Sequence, residues 1–171
     1  VLGDERMQTS VPGIYAAGDC AEAFDKVSGK TIISAIQPNA ADQALVAALN
    51  MTGHKAELRG VTQINVLDTL GLISTSFGEW DGVPGGQQVE LTDQSAHRHL
   101  SLQFGGPEND VLVGCNSVGW TDHVGVMRGL VEGGVRLGSE WRDRLMSDPT
   151  KLMEAYLACS QAQHEQALVK A

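Results

Sequence analysis

Two hydrophobic rhythms divide the chain. Over residues 38–49 small and apolar side chains follow one another, from Pro38 through Ala40, Ala41, Ala44, Leu45, Val46, Ala47, Ala48 and Leu49. Proline is tolerated in a first helical turn, where its missing N–H would have had no partner. Glycine suits the position after a helix end, so Pro38 and Gly53 predict a helix over 38–51. From about Arg59 the rhythm shortens to strand-like runs at 61–67, 87–91, 99–104 and 110–118. In the third run His99, Ser101 and Gln103 alternate with Leu100, Leu102 and Phe104, the pattern of a sheet with one wet face. Turn chemistry separates the runs, at Asp81, Gly82, Pro84, Gly85 and Gly86, and again at Gly105, Gly106, Pro107 and Asn109. An antiparallel meander is expected, with residues 69–86 compatible with a strand pair or a loop. A helix capped by Thr121 or Asp122 and running to about Leu137 should follow, then helices over 139–146 and 149–160. The polar tail after Gln161 is expected to fray.

The fold class is therefore α+β in two parts. Residues 1–58 have α/β character, with an extended run at 13–17 ahead of the helix, and residues 59–171 form an antiparallel sheet followed by helices. A chain of 171 residues with 42% apolar and 19% charged residues can bury a core, so disorder is excluded.

Charge narrows the partners. The net charge of -9, with only 12 Lys and Arg, leaves no basic face for tracking phosphates, so no nucleic-acid partner is expected. No run reaches membrane-spanning length and no basic amphipathic helix offers itself to anionic lipid, so no membrane partner is expected either. Cys20, Cys115 and Cys159 are widely spaced and odd in number, which suits a reducing cytoplasm, and no metal-ligand spacing occurs. The chain opens on Val1 and meets its first motif within twenty residues, as a piece of a longer protein would.

That motif is Thr9-Ser10-Val11-Pro12-Gly13-Ile14-Tyr15-Ala16-Ala17-Gly18-Asp19. It reads as a turn, a short buried strand, a glycine that admits close approach of a ligand, and an acid at the strand's carboxyl end. Ligands of open α/β sheets lie outside those ends, and a carboxylate there accepts hydrogen bonds from sugar or ribityl hydroxyls.

The pattern T-x-x-P-x-I-Y-A-A-G-D resembles the second FAD-binding motif of the FAD-dependent pyridine nucleotide-disulfide oxidoreductases, a family that includes NADH oxidases, rubredoxin reductases and nitrite reductase flavin subunits. The resemblance implies that residues 1–58 are the C-terminal segment of an FAD-binding domain and 59–171 an interface domain. It implies that Asp19 holds the ribityl chain and that Gly18 lets the flavin approach. The 38–51 helix matches the one whose N-terminus faces the flavin pyrimidine edge, at Asn39, Ala40 and Ala41. NAD(P)H is the implied co-substrate, and the electron acceptor is left open. The run at 13–17 would lack its sheet neighbours, so its apolar sides and unpaired edge need cover, and a homo-oligomer or a rearranged N-terminal segment is expected. No G-x-G-x-x-G turn occurs, so by itself the chain is expected to bind FAD weakly or not at all and to be inactive. The His-Pro-Thr segment of the disulfide-reductase branch is also missing, since none of His54, His97, His99, His123 and His164 precedes a proline. A non-catalytic interaction module is the alternative.

Other features have plainer expectations. Gly125, Gly129 and Gly133 recur every four residues, and each interior glycine costs about 1 kcal/mol in a helix, so close packing of that face is expected. Thr121-Asp122-His123 is expected to cap a helix, Cys20 to be a small buried residue, and Trp80, Trp120 and Trp141 to anchor a core or interface. The sequon at Asn50 falls at a helix end and is expected to be structural.

Overall fold

The computed structural model describes the backbone of residues 1–170 and the side chains of residues 1–162. The chain divides into two compact units, Val1–Asn65 and Val66–Ala171.

The first unit is organised by helix α1, Gln37–Met51, with Pro38 in its opening turn. Gly53 takes a left-handed φ of +87°, and His54 N–H returns to the Leu49 carbonyl at 3.0 Å, so the predicted stop is where glycine placed it. The buried positions of α1 are Asn39, Gln43 and Ala47, a stripe at i, i+4 and i+8 made of two amides and a methyl. Ala47 packs with Met7 and Ala21 in a small core bordered by Tyr15, Ala16, Val46 and Leu58. Strands β1, Ala23–Phe24, and β2, Thr31–Ile32, form a short antiparallel pair. Val61 joins it in a parallel bridge to Asp25, its N–H donating to the Phe24 carbonyl at 2.8 Å. Residues 61–62 therefore belong to this unit, and the strand expected over 61–67 begins only at Ile64.

The buried strand expected over 13–17 is not formed. Tyr15 makes one antiparallel bridge to Gln8, Ala16 N–H donates to the Met7 carbonyl, and Ile14 stays 54% exposed. Among the described residues no second strand lies along this segment, so its outer side has nothing to be buried against. Asn50, the sequon asparagine, is structural: its Nδ2 donates to the carbonyls of Val46 at 2.9 Å and Ala56 at 2.8 Å.

The second unit is built on a five-stranded antiparallel sheet. Its strands are β3 (Ile64–Thr69), β4 (Leu72–Gly78), β5 (Gln87–Asp93), β6 (Arg98–Gly105) and β7 (Val111–Val118), in the order β3-β4-β7-β6-β5. The meander β5-β6-β7 is as expected, and β4 adds on beside β7. The wet face expected on β6 is dry instead. Ser101 and Gln103 are buried and bonded to each other at 3.2 Å, and Gly82 comes so near that a Cβ there would stand 3.0 Å from Gln103 Oε1. The turn-rich segment thus folds over that face. It crosses β7 at Gly114, where an added Cβ would lie 2.3 Å from the Glu79 carbonyl oxygen, a contact only glycine permits.

Three helices complete this unit: α2 (Val124–Gly133), α3 (Gly138–Ser147) and α4 (Leu152–Lys170). Met127, Leu130 and Val131 of α2 join Phe77, Leu102, Phe104, Leu112 and Cys115 in the buried core. Burial of each large apolar side chain is worth roughly 1.5–3 kcal/mol. Helix α2 stops well before Leu137 because Gly134 turns left-handed at φ +55°. Its N-cap is His123, itself left-handed and without a side-chain cap bond, so Thr121 and Asp122 do not cap it. Nor are the glycines packed: Gly125 and Gly129 have nothing within 4 Å of an added Cβ, because the opposite side of α2 carries the apolar residues. The tryptophans are half-buried, with Trp120 under Arg98 and Trp141 under Arg144, while Phe77 and Phe104 do the anchoring.

Candidate functional site

At the end of the motif the chain makes a single 3-10 turn over Gly18–Cys20. Gly18 has φ +82°, a left-handed conformation open to glycine and strained for other residues. Its N–H donates to Gln43 Oε1 at 2.7 Å, and a Cβ on it would stand 3.7 Å from Ala40 Cβ. The turn is closed by Ala21 N–H on the Gly18 carbonyl and by Cys20 Sγ on the Ala17 carbonyl. Asp19 projects from it, exposed, and its carboxylate accepts no hydrogen bond from the described residues.

Gly18, Asp19 and the first turns of α1 therefore come together. Asn39 is placed differently from Ala40 and Ala41. Its side chain is buried, with Nδ2 donating to Ser34 Oγ at 2.6 Å and to the Thr62 carbonyl at 3.1 Å. The Ala40 N–H already donates to the Ile36 carbonyl at 3.0 Å, closing the first helical turn. The N–H groups ahead of that closure, at Gln37 and Asn39, are the ones a helix terminus leaves over. Cys20, expected to be buried, is exposed, because the 3-10 turn carries residues 19 and 20 outward together.

Gln43 was not singled out from the sequence. A glutamine in a helix ordinarily faces water, and the available signal was its i, i+4 spacing to Asn39 and Ala47. It has no exposed surface, and while its Oε1 is bonded its Nε2 has no partner among the described residues.

This arrangement fits one part of an FAD molecule: an open glycine turn, a free carboxylate able to accept ribityl hydroxyls, and a helix N-terminus. The cradle for a pyrophosphate has no counterpart in the sequence.

The second unit offers less. His99 Nδ1 lies 2.9 Å from Thr92 Oγ1, and among the described residues no three His, Cys, Asp or Glu side chains gather as metal ligands. A cleft of about 620 Å³ is lined by Asp110, Arg136, Ser139, Trp141 and Cys159 among others. There the buried Asp110 carboxylate accepts from Arg136 Nε at 3.0 Å, raising the guanidinium pKa further, while burial raises that of the Cys159 thiol. These are a structural ion pair and an unactivated thiol. Burial pushes the core Cys115 up to about 12. No described helix is long and apolar enough to cross a membrane.

No family model matches the chain. An NADH oxidase from Streptococcus pneumoniae is 39% identical over 77 residues, 45% of this chain and 17% of that protein. A CoA-dependent NAD(P)H sulfur oxidoreductase from Pyrococcus furiosus is 33% identical over 107 residues, 61% of this chain and 24% of that protein. The match thus spans about a fifth of the length of these curated relatives. Among solved structures, putidaredoxin reductase in its covalent complex with putidaredoxin superposes with a TM-score of 0.75 at 19% identity, over 94% of this chain and 36% of that one. An FAD-dependent pyridine nucleotide-disulphide oxidoreductase from Desulfovibrio vulgaris gives 0.67 at 18% identity, over 95% and 42%. The structures speak for the fold, and over the matched stretches the chain is similar to a C-terminal portion of FAD-dependent pyridine nucleotide-disulfide oxidoreductases.

Proposed function

We propose that the chain supplies the ribityl-binding turn and the C-terminal domain of a flavoprotein that moves electrons from NAD(P)H through FAD to an acceptor. The observation that carries this is Asp19, an exposed carboxylate with no hydrogen-bond donor among the described residues, beside a left-handed glycine bonded to α1. In this role Asp19 accepts hydrogen bonds from ribityl hydroxyls and Gly18 leaves room for the ring system. The N-terminus of α1 favours negative charge near it by about 0.3–1 kcal/mol when exposed and up to about 2 when partly buried. FAD, when bound, supplies the redox chemistry. The relatives named NADH oxidase and NAD(P)H sulfur oxidoreductase support the same class of reaction.

By themselves residues 1–171 are inactive in this proposal, because they lack a pyrophosphate-binding turn. The complete protein is proposed as cytoplasmic, in keeping with its free thiols, and as a homo-oligomer. The β3–β4 hairpin supports the assembly, exposing Val66, Leu67, Leu70, Leu72 and Ile73 in one stretch.

The test is the visible spectrum of the complete gene product under anaerobic titration with NADH and then NADPH. Flavin bands that bleach are expected. A folded, colourless protein that takes up no added FAD overturns the proposal and leaves the interaction-module alternative.

A further inference from the structure

We infer that Gln43 is a positioning residue, which fixes where Asp19 stands by holding the Gly18 turn against α1 through one part-buried hydrogen bond. The inference rests on the flavoprotein function proposed above, and gives a role to a residue that reaches the cofactor only through the turn it holds.

Gln43 is an anomaly as a core residue. Its amide is fully buried, with Oε1 bonded to Gly18 N–H at 2.7 Å and Nε2 without a partner among the described residues. A buried donor left unpaired is destabilising, and an aliphatic side chain of similar volume would avoid that cost. What glutamine adds is the bonded end. Without that acceptor the Gly18 N–H, directed at α1, would be left unpaired as well.

The bond also sets geometry. Gly18 meets α1 through the hydrogen bond at Gln43, one turn along from Ala40, whose Cβ would stand 3.7 Å from a Cβ added to Gly18. Residues so spaced share a helix face, so the bond sets the turn over that face of α1. Asp19 follows directly, and its carboxylate is held by no hydrogen bond from the described residues. Its place therefore derives from the turn, which Gln43 holds at Gly18 while the buried Ala21 packs with Ala47 of α1 at the other end. The helix has its own tether, because Asn39 ties its first turn to Ser34 and to the Thr62 carbonyl. Removing the Gln43 acceptor should then loosen the Gly18 end of the turn, next to Asp19, while Ala21 stays packed with Ala47 and α1 stays in place.

Gln43→Leu, which keeps the volume without the acceptor, and Gln43→Asn, whose shorter amide falls short of Gly18, test this in the complete protein. The readouts are FAD affinity of the apoprotein by fluorescence quenching and amide hydrogen exchange along the chain. The Kd for FAD is expected to rise about tenfold, the scale of one lost hydrogen bond. Exchange should quicken at 18–21 while 37–51 keeps its wild-type protection. Unchanged FAD affinity, loss of protection throughout 37–51, or failure of both variants to fold overturns the positioning role and leaves the flavoprotein function standing. A wild-type protein that takes up no FAD overturns both.

Discussion

The two units bury different chemistry. In Val1–Asn65 the buried face of the one long helix is Asn39, Gln43 and Ala47, while Ile14, Phe24, Ile33, Leu45 and Met51 remain exposed. In the second unit Phe77, Leu100, Leu102, Phe104, Leu112, Met127 and Leu130 are almost wholly buried. Apolar burial is non-directional and scales with area, so the second unit draws stability from many interchangeable contacts. Amide hydrogen bonds contribute less each but are directional. The unit carrying the candidate site is thus held by few, specific bonds that dictate where backbone segments lie, and the sheet unit by bulk.

The most severe way to probe this contrast is Phe104→Ala, which empties a fully buried position of β6. Large aromatic-to-alanine changes in a core cost about 3–5 kcal/mol. Chemical denaturation of the complete protein should show a loss of that size, with hydrogen-exchange protection lost across residues 72–118 and retained over 37–51. A loss below about 1 kcal/mol would mean that the sheet core relaxes around the gap, against the close packing expected of interiors.

The matching change in the first unit is Asn39→Ala. It removes two donors, to Ser34 Oγ and the Thr62 carbonyl, while Ser34 Oγ still donates to that same carbonyl at 3.2 Å. With the acceptors only partly orphaned, a cost of about 1–3 kcal/mol is expected. Accelerated amide exchange confined to 31–41 and 61–62 would show the loss to be local. A cost as large as that of Phe104→Ala would erase the distinction between the units.

What the sequence disclosed follows the same division. The ends of α1 were legible because Pro38 and Gly53 act through local backbone chemistry. The runs that became β5, β6 and β7 were legible from composition and from the turns between them. Strand β4 escaped, since Ser74, Thr75 and Ser76 interrupt its apolar character and it pairs with β7, far along the chain. The alternation on β6 was correct in period yet misleading about water, because burial of Ser101 and Gln103 depends on a loop that periodicity does not see. At the candidate site Gly18 and Asp19 were legible as a linear motif. Gln43 was not, since its importance lies in a bond between residues 25 positions apart.

The smallest expected effect has the opposite sign. Gly129 lies within α2 on its exposed side, and a Cβ there would meet nothing within 4 Å. Glycine in a helix interior costs about 1 kcal/mol relative to alanine, through the entropy it loses on folding. Gly129→Ala is therefore expected to stabilise the second unit by up to about 1 kcal/mol, read as a raised denaturation midpoint at unchanged m-value. The repeat Gly125, Gly129 and Gly133 would suit a closely approached backbone, whereas the described residues leave Gly125 and Gly129 open. If the substitution instead destabilises the assembled protein while stabilising it at dilutions where it is monomeric, the glycine side is covered by a partner. The backbone entropy of α2 would then be offset by a contact made only on assembly.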